Sequence, residues 1–139
     1  MEGLLAVDTS VAVPLLVATH EAHRAVRSWG SKKVLHLSGH ALAETYSVLT
    51  RLPGDARVSP QDAVELIDDN FEGTLTFSPE STLSLHRKLA AHHVVGGAVY
   101  DGMVALAAQY NDAVLVTRDA RARATYEVLG VPTELVIGV

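Results

Sequence analysis

Five short apolar runs, each separated from the next by at least one helical pattern, constrain this chain more than any other feature. Leu4 to Val7, Val34 to Leu37, Thr74 to Phe77, Val114 to Thr117 and Glu134 to Ile137 read as strands. The intervening helical patterns cover Ser10 to His20, Glu21 to Trp29, Gly39 to Leu52 and Ala98 to Tyr110, with Ala120 to Leu129 before the last strand. Two further helices open at Ser59-Pro60 and Ser78-Pro79, running to about Phe71 and towards His92. In both, a capping serine precedes a first-turn proline and an acid follows closely. Pro14 weakens the first helix because a proline beyond the first turn removes a backbone donor. Gly130 and Pro132 stop the last one. Strands joined through helices pair in parallel by right-handed crossovers. The expected fold is therefore α/β: a three-layer domain with a central, mainly parallel sheet of about five strands flanked by helices.

With 139 residues, 48% of them apolar, and no cysteine, the chain can build a core without a disulfide. One domain over residues 1–139 is expected, with no repeat or linker; Pro53-Gly54-Asp55 and Gly96-Gly97 read as loops inside it. No stretch approaches the ~20 apolar residues of a membrane span, and the start lacks the pattern of an export signal. A reducing, cytoplasmic location is expected. The formal net charge of -5 argues against general adhesion to nucleic acid, which comes mainly from neutralising phosphates. A nucleic-acid substrate would need local basic groups and metal.

Four acids break the apolar pattern. Asp8 closes the first strand and Asp119 follows the fourth, while Asp101 shares a helical face with Ala98, Val104, Ala105 and Ala108. Glu44 sits between Ala41 and Val48. In open parallel sheets ligands bind beyond the carboxyl ends of the strands, where the strand order reverses. Asp8 and Asp119 lie at such ends, and the helices bearing Glu44 and Asp101 can reach the same cleft. Clustered carboxylates raise one another's pKa and need cations. The chain offers few obvious partners, which points to bound metal.

Plainer roles stand beside these. Asp8 and Asp119 each fit the N-cap of a following helix, Glu44 a solvated helical position, and Asp101 a capped, buried acid. Arg118, Arg121 and Arg123 suit either RNA phosphates or a solvated helical face. The seven histidines form no convincing zinc pattern. Trp29, Tyr46 and Tyr100 fit core or partner contacts better than a base-stacking platform.

The ordered set Leu5-Ala6-Val7-Asp8-Thr9-Ser10, Ala43-Glu44, Gly96-Gly97-Ala98-Val99-Tyr100-Asp101 and Leu115-Val116-Thr117-Arg118-Asp119 resembles the PIN-domain ribonucleases of the VapC toxin type. The resemblance runs over essentially the whole chain. It implies that Asp8, Glu44, Asp101 and Asp119 are the catalytic, metal-binding residues, holding Mg²⁺ or Mn²⁺ for endonucleolytic hydrolysis of RNA by metal-activated water. Hard divalent cations prefer such carboxylate and water oxygens. Thr9 and Thr117 could position an acid or a water, Thr117 the better candidate because the family often has a polar group there, and Arg118 and Arg121 could contact RNA. The resemblance also implies a cognate VapB-like antitoxin, whose basic arm enters the acidic cleft, and a homodimer.

Other functions fit less well. An aspartyl-phosphate phosphatase of the haloacid dehalogenase class wants a second acid two positions after Asp8, where Ser10 stands. A receiver domain wants an acceptor aspartate after the third strand, where Ser78-Pro79 stands. A noncatalytic RNA- or protein-binding module on the same fold remains open, since an intact motif is not an assay.

Overall fold

In the computed structural model, which describes residues 3–136, five parallel strands form one sheet: β1 (Leu5–Val7), β2 (Leu35–Ser38), β3 (Gly73–Leu75), β4 (Val114–Thr117) and β5 (Thr133–Leu135). Their spatial order is β3-β2-β1-β4-β5. The helices are α1 (Thr9–Leu16), α2 (His23–Gly30), α3 (Ala41–Thr50), α4 (Pro60–Asn70), α5 (Pro79–Leu83), α6 (Leu85–Ala91), α7 (Ala98–Tyr110) and α8 (Ala120–Val128). The chain leaves β1 towards β2 and β3, then returns across the sheet to β4 and β5. Right-handed crossovers consequently place α1 to α4 on one face and α7 with α8 on the other. The packing of α1 on α2 and α3, and of α7 on α8, agrees with this three-layer arrangement. None of the described helices is long and apolar enough to cross a membrane.

Strand order reverses between β1 and β4, which pair through Leu5 with Val114, Ala6 with Leu115 and Val7 with Val116. Ala6, Val7, Leu115 and Val116 are fully buried, as a central parallel pair covered on both faces requires. The carboxyl ends of these two strands lead into Asp8 and Asp119.

Two contacts set α7 against the sheet. Ser38 Oγ donates to the Val104 carbonyl at 2.7 Å. Gly39 has φ +53°, and a Cβ there would meet the Met103 carbonyl oxygen and Ala107 Cβ at 3.0 Å each. A bare α-carbon is needed for the turn from β2 into α3 to fit against α7. Those two helices carry Glu44 and Asp101.

Several boundaries depart from the expected ones. The first helix ends at Leu16 rather than His20, within one turn of Pro14, whose ring nitrogen cannot donate. The helix opened by Ser78-Pro79 breaks at Ser84 into α5 and α6. There the Ser84 hydroxyl turns back to the carbonyls of Ser81 and Glu80, at 3.4 and 3.5 Å. The third strand is shifted towards Gly73, and Asn111 Nδ2 caps the Thr76 carbonyl at 2.7 Å. Ile137, expected to end the last strand, lies outside the described residues.

Candidate acidic active site

The acids of four separate segments meet in one small cavity. Asp8 follows β1 directly, Asp119 lies two residues beyond β4, and Glu44 and Asp101 sit in the first turns of α3 and α7. Together with Thr9, Ser10 and Tyr126 they line a space of about 80 Å³, closed on its apolar side by Val104 and Ala122. Asp8 and Asp119 are also helix caps. Asp8 Oδ1 accepts the Ser10 amide at 3.0 Å, and Asp119 Oδ1 accepts those of Arg121 and Ala122 at 2.9 and 3.3 Å. Capping and clustering thus coincide, because a strand end that opens a helix is also where the cleft lies.

Only Asp8 is buried, at 5% exposure; Glu44 and Asp119 keep 41% and 39% of their side chains in solvent. Asp101 shows the strain of the arrangement. Partial burial, then the charges of Asp119, Asp8 and Glu44, raise its pKa from 3.8 to about 6, with Arg121 pulling weakly the other way. Arg121 is a poor counter-charge: its side chain is 96% exposed and lies 3.9 Å from Asp119.

Hydroxyl groups hold the carboxylates of Glu44 and Asp8 in place. Thr9 Oγ1 donates to Glu44 Oε2 at 3.1 Å, and His40 Nε2 stands 3.4 Å from Glu44 Oε1. His40 also stacks on Tyr100, with ring centroids 5.0 Å apart. Ser10 Oγ donates to Asp8 Oδ1 at 2.6 Å, accepts the Arg118 amide at 2.8 Å, and lies 3.2 Å from Thr117 Oγ1. Thr117 Oγ1 accepts the Asp119 amide at 3.0 Å. On the opposite side of Asp8, the Tyr126 hydroxyl donates to Oδ2 at 2.7 Å. Burial first, and then the carboxylate of Asp8, keep that phenol protonated.

Sequence reasoning named the four acids and Thr9, all of which line the cavity. Thr117 lies beneath it and steadies the Asp119 backbone, whereas Arg121 stands at its rim. Arg118 contributes its amide to Ser10; its Nε is buried with no partner among the described residues. Arg123 is tied to Glu127 at 2.8 Å, a pair on the helical surface. Ser10, His40 and Tyr126 were not singled out. Ser10 had a signal in its spacing, two residues after an expected cap, and Tyr126 shares a helical face with Ala122. Of the histidines, His20 and His23 spend Nδ1 on backbone groups of Ala22 and Pro14, and His92 on Lys88.

The donor set fits a hard divalent cation. All the converging donors are oxygens, Asp101 is held against ionisation by partial burial and by its fellow acids, and no Lys or Arg side chain is among the cavity-lining residues described. As placed, no three His, Asp or Glu side chains among the described residues enclose an ion. Glu44 is held in the cavity wall by Thr9 and His40.

Comparison with known proteins adds a family. The model for the PIN domain matches residues 5–128. Ribonuclease VapC27 of Mycobacterium tuberculosis is 56% identical over 131 residues, 94% of this chain and 96% of that protein. Ribonuclease VapC40 of the same species is 44% identical over 135 residues, 96% and 99% of the two chains. Among solved structures, VapC20 of M. tuberculosis, described as a sarcin-ricin loop cleaving toxin, superposes with a TM-score of 0.63 at 20% identity. That match covers 86% of this chain and 93% of VapC20. A chain of the VapBC2 complex from Rickettsia felis, bound to a promoter DNA fragment, gives 0.64 at 15% identity, covering 96% and 98%. At such identities these structures speak for the fold, which is the same doubly wound sheet. Fold, matched span and close relatives agree: the chain belongs to the PIN-domain family, among its VapC-type members.

Proposed function

We propose that the protein, acting as one PIN domain over residues 1–139, is a metal-dependent endoribonuclease and the toxin of a toxin-antitoxin pair. The observation that carries this reading is the convergence of Asp8, Glu44, Asp101 and Asp119, from four chain segments, on one cavity at the reversal point of the sheet. The ribonuclease names of the two Mycobacterium relatives point the same way. A VapB-like antitoxin and a second copy of the chain are the proposed partners, and RNA the substrate.

Asp8, Glu44, Asp101 and Asp119 would hold Mg²⁺ or Mn²⁺. Such an ion supplies positive charge that acidifies the attacking water and offsets the charge growing on the phosphate and leaving oxygen. Asp8 is fixed from two sides, so it presents its oxygen without a further loss of freedom. Thr9 and His40 orient Glu44. Asp119 is locked as a cap, its backbone steadied by Thr117. Asp101, whose ionisation burial and the other three acids oppose, would be relieved when a cation enters. Arg121, exposed and 3.9 Å from Asp119, would meet an incoming phosphate.

The test is cleavage of a single-stranded RNA panel with Mn²⁺ by the wild type and by an Asp8→Asn, Asp101→Asn double variant. Loss of cleavage in a folded double variant is expected. Undiminished cleavage would sink the assignment.

A further inference from the structure

Tyr126 stands apart from the other tyrosines of the chain. Tyr46, Tyr100 and Tyr110 are exposed, whereas Tyr126 is fully buried among core residues. A buried phenol needs a partner for its hydroxyl, and here the partner is a site acid, Asp8 Oδ2, at 2.7 Å. The helix that carries Tyr126 starts at Asp119, so α8 positions two acids at once: one as its own cap and one through a hydroxyl two turns on.

The consequence follows from the acceptor capacity of Asp8. An ionised carboxylate offers about four lone-pair sites. Oδ1 already takes the Ser10 amide at 3.0 Å and the Ser10 hydroxyl at 2.6 Å, and Oδ2 takes the Tyr126 hydroxyl. One site on Oδ2 is left. We infer that Ser10, by filling both sites of Oδ1 while Tyr126 holds the carboxylate from Oδ2, confines Asp8 to contact with a cation through a single oxygen, and so biases the site towards small six-coordinate ions over Ca²⁺. This rests on the divalent-cation reading above. Ca²⁺ takes more oxygens and accepts both oxygens of a carboxylate, whereas Mg²⁺ demands near-octahedral, single-oxygen contacts and Mn²⁺ shares that geometry. Tyr126 is thus a positioning residue that acts through Asp8. Ser10 withholds Oδ1, while Tyr126 holds the carboxylate from Oδ2.

The experiment is calorimetric titration of Mn²⁺ and of Ca²⁺ into the metal-free full chain, for the wild type, Tyr126→Phe, Ser10→Ala and Asp8→Asn. Thermal unfolding in chelator checks that each variant folds. Loss of a hydrogen-bond partner behind a ligand weakens metal binding about 10- to 100-fold. Ser10→Ala, which frees a site on Oδ1, should lose about tenfold in Mn²⁺ affinity while Ca²⁺ affinity holds or rises, so the preference for Mn²⁺ falls by about tenfold. Tyr126→Phe, which leaves Oδ1 filled, should weaken both ions alike, and so would Ser10→Ala if Ser10 had a purely structural role. If the alanine variant does not fold, Ser10→Gly carries the same test, because it also removes the hydroxyl. An unchanged preference in the folded variant overturns the inference and leaves the cation reading standing. Wild-type Mn²⁺ binding that is absent, or insensitive to Asp8→Asn, overturns both.

Discussion

The Thr9 hydroxyl donates to Glu44 Oε2 at 3.1 Å, joining the first residue of α1 to the first turn of α3 across the mouth of the acidic cleft. Glu44 needs that link more than the other acids do. Asp8 and Asp119 are fixed as helix caps next to strand ends, but Glu44 has a longer side chain on a half-exposed helical face. Its direction is set by Thr9 on one oxygen and by His40 on the other.

Thr9→Val keeps the shape of the side chain and removes this donor. The expected result is a drop of about tenfold in Mn²⁺ affinity and in kcat/KM for RNA cleavage. Stability should change by only about 1 kcal/mol, the net worth of one hydrogen bond. Calorimetry and cleavage kinetics on the same preparation check it. A variant that binds and cleaves like the wild type would show that Glu44 orients without Thr9.

Asp101→Asn preserves size and removes a charge, so RNA cleavage should fall on the order of 100-fold or more while the fold survives. Mn²⁺ should raise the unfolding temperature of the wild type by mass action and raise that of the variant less. Melting curves with and without the ion measure this. Equal shifts in the two proteins would mean that the ion acts elsewhere on the chain.

The acids were legible in sequence because each interrupts an apolar pattern, and the pattern itself says where strands end. Asp8 and Asp119 could be placed near one another from the alternation of strands and helices alone. Tyr126 could not, since the contact that matters spans 118 positions and a tyrosine on the face of Ala122 looks like ordinary core. Proline and serine effects were partly legible. Pro14 announced a weak helix but not its end at Leu16, and nothing in the periodicity of residues 79–91 marks the break at Ser84, which depends on a hydroxyl turning back to its own helix. Local competition of that kind leaves no trace in an apolar pattern.

Asp101 also predicts a pH dependence in the metal-free protein. Its folded pKa of about 6 lies above the ordinary value of 3.8, so between these pH values the native chain holds a proton that the unfolded chain has released. Stability therefore falls as pH rises through this window, and the deficit persists above it. Asp101→Asn removes the deficit. In chelator at pH 7.5 the variant should be more stable than the wild type, on the order of 1 kcal/mol once solvent screening is allowed for. At pH 4 the difference should vanish. Unfolding midpoints at the two pH values decide it, and a gain that is the same at both would show that ionisation of Asp101 is not the cause.

The charge balance that discourages RNA favours a basic partner. A chain of net charge -5 draws a polyanion only through local groups such as Arg121 and through metal, whereas a cationic peptide arm meets attraction throughout. An arginine side chain reaching Asp8, Glu44, Asp101 and Asp119 would form charge-assisted hydrogen bonds with the carboxylates that most lack a counter-charge. An arm of this kind, on a VapB-like antitoxin, is expected to suppress cleavage by taking the place of metal or RNA. Replacing Asp101 and Asp119 together with asparagine should weaken binding of the isolated arm about tenfold or more. Apolar contacts elsewhere should preserve part of the affinity of the whole antitoxin. Binding measured by calorimetry at two salt concentrations separates these contributions, because the cleft contribution falls with added salt. A complex in which the arm lies outside an open, metal-loaded cleft would reject plugging and leave the nuclease assignment intact.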